Sequence, residues 1–234
     1  WHVEALPECY AAKTKDDKLL MESTSGGMFS ELAKRVLESH GVVYGCVLRN
    51  LTPIHVRAET LDEIAPMRGS KYVQSDTGNT FRGCKKDLVD GRQVLYSGTP
   101  CQIAGLQAYL GKEYDNLLTV ALICHGVASP KVFRDYLRDE EALHGALASN
   151  VRFRDKIAVD GESSFVISWT NPDKPPFVES SWSPAYMRAF LSAHSYRESC
   201  FACHFRSGKS NADIVIGDFW GIQNVLPDFP AAYG

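Results

Sequence analysis

Cysteines are the side chains of this sequence best suited to chemistry, and their spacing suggests a shared site. Cys200 and Cys203 form a C-x-x-C pair, a spacing that lets both sulfurs bind one centre, whereas Cys101 and Cys124 stand alone. Four thiolates are the number that a 4Fe–4S cluster or a structural zinc requires. The pattern thus suggests a four-thiolate site, and the alternative is that the two single cysteines are small buried hydrophobic residues. The other three cysteines are interpreted as ordinary thiols: Cys9, Cys46 and Cys84.

The C-terminal pair also allows a different cofactor. Cys200 to His204 read C-x-x-C-H, which is the attachment signature of c-type haem. That attachment takes place outside the cytoplasm, and the first residues, WHVEALPECY, lack the basic start and apolar core of a secretory signal. Irregular cysteine spacing without a signal favours a reducing compartment, so we expect a cytoplasmic protein. The chain begins at Trp1 and is interpreted as a fragment of something longer, so the haem alternative stays open.

Alternating strands and helices position the two single cysteines. QVLYSG, ending at residue 98, predicts a buried strand, and Thr99 followed by Pro100 predicts the start of a helix. LLTVALIC, residues 117–124, predicts the next strand, followed by a helix that starts at Ser129. If the two strands are neighbours in a parallel sheet, Cys101 and Cys124 lie at the same carboxyl edge, where ligands bind. The helix N-terminus would also stabilise the thiolate of Cys101.

The whole chain reads as an α/β protein, with a mostly parallel sheet flanked by helices. A smaller, irregular, cysteine-containing part is expected towards the C-terminus, because the pattern changes from residue 151. We divide the chain into a lead-in from a missing upstream module (1–14), an N-terminal domain (15–92) and a truncated C-terminal domain (93–234).

Composition excludes several classes of protein. Of 234 residues, 44% are hydrophobic and 23% are charged, which are ordinary globular values. The net charge of −3 gives no basic field for nucleic acid, so no nucleic-acid partner is expected. No apolar stretch approaches the roughly 20 residues that a membrane span needs.

Two glycine-rich or basic segments are candidates for binding an anionic cofactor. Ser25, Gly26 and Gly27 precede a predicted helix, where hydroxyls and backbone N–H groups suit a phosphate; the alternative is a helix cap with a flexible entry. The loop RGSKYVQS, residues 68–75, combines cations, hydroxyls, an aromatic ring and an amide. It either clamps a planar polyanionic cofactor, with Lys71 near a ring carbonyl or phosphate, or is a solvated loop. Arg154 and Lys156 are further basic candidates, although such residues are more often surface charges.

Several motifs occur together in a characteristic order: STSGGMFSELAKRVL, RGSKYVQSD, VLYSGTPCQIAGL, LICHGVASPKVFRDYL, FRDK, the C-x-x-C pair and DIVIGDFWGI. Over about residues 15–225 the chain resembles the beta subunit of the coenzyme F420-reducing hydrogenases and dehydrogenases and its bacterial relatives. The resemblance implies that FAD and a 4Fe–4S cluster are the cofactors, with Cys101, Cys124, Cys200 and Cys203 as cluster ligands. It implies a catalytic role for Lys71 and a flavin site formed by Ser25, Gly26, Gly27, Ser70, Lys71, Tyr72, Gln74, Ser75, Gly98, Thr99, Pro100, Gln102, Arg154 and Lys156.

The implied function is that of an oxidoreductase subunit. It would move electrons between a hydride carrier (coenzyme F420 or another reduced carrier), FAD, the cluster and a redox partner. The implied partners are a ferredoxin or ferredoxin-like module, other redox subunits and the small-molecule carrier. Two alternatives remain: a zinc-stabilised binding module without enzymatic activity, and a c-type haem electron carrier using Cys200, Cys203 and His204.

Overall fold

Apolar β-branched runs form the strands of a central sheet, and amphipathic segments between them form the covering helices. The structure, a computed structural model, describes residues 8–159, 162–205 and 210–229. The helices are α1 (Asp17–Glu22), α2 (Met28–Glu38), α3 (Leu61–Ile64), α4 (Thr80–Val89), α5 (Pro100–Leu110), α6 (Pro130–His144), α7 (Ala185–Leu191) and α8 (Glu198–Phe201). The strands are β1 (Val42–Arg49), β2 (Thr52–Ala58), β3 (Val94–Gly98), β4 (Leu117–Leu122), β5 (Ala148–Asp155), β6 (Ser164–Trp169), β7 (Phe177–Ser180) and β8 (Ile214–Ile216). Ala65–Met67 and Ile222–Asn224 form 3₁₀ turns.

The central sheet has five strands in the order β2-β1-β3-β4-β8. β1, β3, β4 and β8 are parallel, and β2 lies antiparallel at one edge. One face packs on α4 and α5 through an apolar cluster that includes Tyr44, Leu88 and Ile103, and the other face packs on α2 and α3. The expected α/β class with a mostly parallel sheet is therefore confirmed. The division of the chain at residue 92 stays a prediction.

A second sheet lies in the C-terminal part of the chain. β5, β6 and β7 form three antiparallel strands, and their apolar face packs on α6 and α7. Phe133 of α6, Phe153 of β5 and Phe165 of β6 are each no more than 1% exposed. The part that the sequence left irregular is thus organised around a core of its own.

Two elements differ in extent from the sequence patterns. α1 forms in a segment that read as polar, because the Asp16 carboxylate accepts a hydrogen bond from the Leu19 N–H at 3.0 Å and Leu20 is buried. Only Ile214–Ile216 of the run ADIVIGDF form β8, since these three residues pair with β4. Of the predicted lead-in, residues 1–7 lie outside the described residues. Within the described ranges, no helix is both long enough and apolar enough to span a bilayer.

A buried carboxylate joins α4 to the first two strands. Asp87 is 7% exposed, accepts a hydrogen bond from the Tyr44 hydroxyl at 2.6 Å and pairs with the Arg57 guanidinium at 2.8 Å. Burial raises the pKa of Asp87, but the hydrogen bonds from Arg57 and Tyr44 outweigh it and lower the pKa overall. The charged form of Asp87 therefore stabilises the fold.

We expect this stabilisation to disappear in acid. The pKa of Asp87 is lower in the folded chain than in the unfolded chain, where it is about 3.9. The contribution of Asp87 to the free energy of unfolding is therefore complete above about pH 5. It is lost as the pH falls below the unfolded pKa towards the folded one. The Asp87→Asn variant should be less stable than the wild type at pH 7, and the difference should narrow between about pH 5 and pH 3. Urea denaturation at each pH measures this difference. A difference independent of pH would contradict the prediction.

Candidate functional site

Two cysteines meet at the carboxyl edge of the central sheet, as the sequence predicted. Cys101 lies in the first turn of α5, directly after β3, and Cys124 follows the end of β4. The two strands are paired neighbours, with Gly98 opposite Ala121, so both sulfurs lie beyond the same edge. Cys101 is exposed, and Cys124 is partly buried.

The C-x-x-C segment is held beside this edge by backbone pairing. Ala128 and Tyr196 form an antiparallel bridge, and the Arg197 N–H donates to the Val127 carbonyl at 3.0 Å. α8, which carries Cys200, begins directly after this contact. The chain is thereby folded back on itself, so that the second pair of thiols approaches the turn after Cys124.

Cys124 interacts electrostatically with the other three thiols. Burial raises the pKa of the Cys124 thiol to about 11, and Coulomb repulsion from Cys101, Cys200 and Cys203 adds to the rise. Cys124 is therefore near enough to the other three thiols to interact with them electrostatically. In the described part of the chain, no three His, Cys, Asp or Glu side chains are arranged to hold a single metal ion.

Gly126 is a point of close contact in this arrangement. A Cβ atom at this position would lie 2.4 Å from Cδ2 of the Tyr196 ring. Gly126→Ala should therefore displace Tyr196, and with it the segment that leads to Cys200, at a cost of about 1–3 kcal/mol.

Gly105→Ala is the matched control. Gly105 lies in the interior of α5, and a Cβ there would make an ordinary 3.5 Å contact with Phe81 of α4. Alanine in a helix interior should leave stability unchanged or raise it by about 0.5–1 kcal/mol. Chemical denaturation measures the free energy of unfolding of both variants. Equal changes in the two variants would contradict the prediction.

A pocket of about 70 Å³ lies where the RGSKYVQS loop meets α1 and β5. Arg154 lines it, donates from Nη1 to Asp218 Oδ2 at 2.6 Å and lies over the rings of Trp182 and Trp220 at 5.5 and 5.6 Å. The Arg154 side chain is 9% exposed. Its Nε is buried and has no hydrogen-bond partner among the described residues. A buried donor without a partner is costly, so this atom is suited to a ligand acceptor.

Hydrogen bonds join the segments that the sequence assigned to cofactor binding. Lys156 Nζ donates to the carbonyls of Leu20 and Ser25, both at 3.0 Å. It thereby links the end of β5 to the turn formed by Ser25, Gly26 and Gly27 (the SGG turn). The Ser70 N–H donates to Thr24 Oγ1 at 2.8 Å and links the same turn to the RGSKYVQS loop. Burial and the charge of Arg154 lower the pKa of Lys156 to about 8.

The turn formed by Gly98, Thr99 and Pro100 (the GTP turn, named after its three residues) contacts the far end of the same loop. Gln102 Nε2 donates to Ser75 Oγ at 2.9 Å, and Gln102 Oε1 accepts from the Thr99 N–H at 3.0 Å. A Cβ on Gly98 would lie 3.1 Å from Gln102 Oε1, and Pro100 is buried at the first position of α5. The structure thus brings the predicted segments into one connected region, although their contact with a flavin stays a prediction.

Other predicted residues have clear structural roles. Lys71 Nζ donates to the carbonyls of Pro66, Met67 and Arg68 at 2.9–3.0 Å, which uses all three ammonium protons at the end of a 3₁₀ turn. Burial lowers the pKa of Lys71 to about 8. A ligand would have to replace one of these carbonyls, and the catalytic role of Lys71 stays a prediction.

Packing and backbone conformation explain four more positions. The Tyr72 ring contacts Phe190 edge-on at 4.8 Å, and the Gln74 N–H donates to the Ala128 carbonyl at 2.9 Å. Gly27 has a φ of 79°, and a Cβ on Gly26 would lie 2.8 Å from the Ala12 carbonyl oxygen, so both glycines are required by the backbone.

Sequence reasoning missed four residues of this region: His55, Trp182, Asp218 and Trp220. Asp218 and Trp220 belong to the DFWG motif, and the acid and the aromatic residue side by side in that motif were the available signal. Nothing in the sequence around His55 or Trp182 marked either of them.

The structure defines a mixed α/β protein with two cysteines at the carboxyl edge of its central parallel sheet. Two family models match the chain, and both describe the beta subunit of coenzyme F420 hydrogenase/dehydrogenase. The model of its N-terminal part matches residues 9–81, and the model of its C-terminal part matches residues 91–228. The chain belongs to the coenzyme F420 hydrogenase/dehydrogenase beta subunit family, an oxidoreductase family whose members take part in electron transfer.

Solved structures support the same fold. Eleven chains match, among them one from the F420-reducing NiFe hydrogenase complex of Methanosarcina barkeri. The two chains share 18% sequence identity with a TM-score of 0.54, and the match covers 86% of this chain and 66% of that one. This chain therefore spans slightly less than two thirds of the length of that relative. A search of curated proteins found no match.

Proposed function

We propose that the chain is a flavin- and iron–sulfur-dependent oxidoreductase subunit. It moves electrons between a hydride carrier (coenzyme F420 or another reduced carrier), FAD, a 4Fe–4S cluster and a redox partner. The observation that carries this proposal is the proximity of Cys101, Cys124, Cys200 and Cys203, which come from three separate segments and interact electrostatically. Membership of the F420 hydrogenase/dehydrogenase family supports the same reaction class.

Four thiolates form the ligand set of either a 4Fe–4S cluster or a structural zinc. In a 4Fe–4S cluster each thiolate binds a different iron, so the four sulfurs surround the cluster without meeting at one point. A structural zinc instead needs four ligands at about 2.0–2.3 Å from one atom. Membership of the F420 hydrogenase/dehydrogenase family favours the cluster, and metal analysis distinguishes the two.

The region around Arg154 fits one end of a flavin nucleotide. The unpartnered Nε of Arg154 suits an anionic or carbonyl oxygen atom. The 70 Å³ pocket is far smaller than the roughly 300–1,000 Å³ of pockets that enclose a whole ligand. It would therefore receive a polar end of FAD, while the rest lies along the loop and the GTP turn.

When bound, the flavin supplies two-electron hydride chemistry and the cluster supplies single-electron transfer. The residues of this chain bind and orient these groups. Lys156, which is buried, and Lys71, which is partly buried, place two positive charges beside the proposed flavin site, and the Trp182 ring packs against the Arg154 guanidinium.

Redox partners are proposed on two grounds. The fold resembles that of a chain in a multi-subunit hydrogenase complex. Ile123 and Phe201, adjacent in sequence to cluster cysteines, are 59% and 56% exposed, as expected where another electron-transfer protein docks. We propose a ferredoxin or ferredoxin-like module and other redox subunits as partners, in the cytoplasm.

An absorption spectrum of anaerobically purified protein, combined with metal analysis, tests the proposed function. Flavin bands with a broad charge-transfer absorbance and bound iron are the expected result. A colourless protein with one zinc per chain would instead support the binding-module alternative. Sharp Soret and α bands would support the haem alternative through Cys200, Cys203 and His204.

A further inference from the structure

A chain of hydrogen bonds connects the buried side chain of His55 to the side chain next to Cys101. His55 is 7% exposed, and its Nδ1 lies 3.1 Å from Ser75 Oγ. Ser75 Oγ accepts from Gln102 Nε2 at 2.9 Å, and Gln102 Oε1 accepts from the Thr99 hydroxyl at 3.1 Å. Thr99 Oγ1 in turn lies 3.2 Å from Cys101 Sγ.

Backbone groups at both ends fix the direction of this chain. The Thr99 N–H donates to the Gln102 side chain at 3.0 Å, so the atom facing it is the oxygen, and the amide nitrogen faces Ser75. His55 Nε2 lies 3.0 Å from the Ser97 carbonyl, which only accepts, so Nε2 carries the proton and Nδ1 accepts from the Ser75 hydroxyl. Burial lowers the pKa of His55 and thus favours the neutral ring that this pattern requires.

These hydrogen bonds determine which group of Thr99 faces the Cys101 sulfur. A cluster-bound cysteine sulfur only accepts hydrogen bonds, and the Thr99 hydroxyl is the adjacent donor. The Thr99 hydroxyl has one proton, which points to Gln102 Oε1 in the metal-free protein. When Cys101 Sγ is bound to iron, this proton would turn to the sulfur, while the Thr99 N–H keeps Gln102 Oε1 paired. The orientation of the Gln102 amide depends on Ser75, and the orientation of Ser75 depends on the acceptor on His55.

We propose that His55 is a positioning residue for the cluster ligand Cys101. Its Nδ1 acts through Ser75 and Gln102 to place the Thr99 hydroxyl against the sulfur. This inference rests on the proposed iron–sulfur function, because it assigns His55 a role in tuning the cluster. A hydrogen bond donated to a cluster sulfur stabilises the more negative, reduced state and so raises the reduction potential.

Two substitutions separate this role from simple packing. His55 also stacks on Tyr96, with ring centroids 5.7 Å apart, and both His55→Asn and His55→Gln remove that stack. Asparagine places its side-chain oxygen near the position of Nδ1 and keeps the acceptor for Ser75. Glutamine reaches the position of Nε2 and keeps only the bond to the Ser97 carbonyl. Ser75→Ala removes the hydroxyl that joins His55 to Gln102 and leaves the imidazole ring of His55 in place.

The first measurement is hydrogen exchange at the Thr99 amide in the metal-free protein, followed by NMR. His55→Gln and Ser75→Ala should each raise the exchange rate about tenfold, the effect of one lost hydrogen bond, whereas His55→Asn should stay within about twofold of the wild type. Equal effects of the two His55 variants, no effect of either, or a larger effect of His55→Asn would each overturn the proposal.

The second measurement is the midpoint potential of the reconstituted cluster. His55→Gln and Ser75→Ala should shift it to more negative values, and His55→Asn should restore the wild-type value. If the wild-type protein binds no iron, the proposed function fails, yet the Thr99 exchange rates still decide whether the positioning chain exists. If iron binds normally and the potentials of all variants coincide, the inference fails while the proposed function stands.

Discussion

Replacing Cys101 with serine should remove most of the iron from the anaerobically reconstituted protein. The proposed cluster contains four irons, and loss of one thiolate leaves one of them without its protein ligand. We expect the iron content of Cys101→Ser and Cys124→Ser to fall from about four per chain to less than half of that, with loss of the broad charge-transfer absorbance. Iron analysis and the visible spectrum measure both quantities.

Cys9→Ser is the matched control for this prediction. Cys9 is exposed, and neither the sequence pattern nor the electrostatics of Cys124 links it to the other thiols. This variant should retain its full iron content. Full occupancy in Cys101→Ser and Cys124→Ser, with melting temperatures like that of the control, would refute the ligand assignment.

Substituting Arg154 with lysine should weaken flavin binding strongly while preserving the charge beside Asp218. The unpartnered Nε is lost, and lysine cannot reproduce the planar contact with Trp182 and Trp220. A lost hydrogen bond to a charged donor weakens binding by about 10- to 100-fold. Lysine is preferable to leucine here, because leucine would leave the partly buried Asp218 without its charge partner and so would itself destabilise the protein.

Titration of the flavin-free protein with FAD, followed by flavin fluorescence, measures this affinity. Arg138→Lys serves as the control, since Arg138 is a 71% exposed residue of α6 that pairs with Asp135. The control should bind FAD like the wild type. An unchanged affinity in Arg154→Lys would show that the pocket around Arg154 is not part of the flavin site.

The two predictions separate the cofactors, because the two substituted residues, Cys101 and Arg154, lie in different parts of the fold. The cysteines lie at the carboxyl edge of the central sheet, whereas Arg154 belongs to the second sheet. Loss of iron without loss of flavin in Cys101→Ser, and the reverse in Arg154→Lys, would establish two distinct sites on one chain.

Periodicity and capping residues were sufficient to predict the parallel unit from the sequence. The run VLYSG between polar residues, the Thr99–Pro100 start and the glycine after α5 are local signals, so β3, α5 and β4 could be placed with Cys101 and Cys124 at one edge. The family resemblance likewise rested on short motifs within single segments. In each case neighbouring residues carry the information.

Only the tertiary structure decided how distant segments meet. The approach of Cys200 to Cys124 depends on the bridge between Ala128 and Tyr196, and the environment of Arg154 depends on Trp182 and Asp218. The chain from His55 to Cys101 likewise crosses β2, a loop and α5. Such contacts arise because packing of the two sheets and their helices brings together side chains that share no periodicity, which a local sequence pattern does not encode.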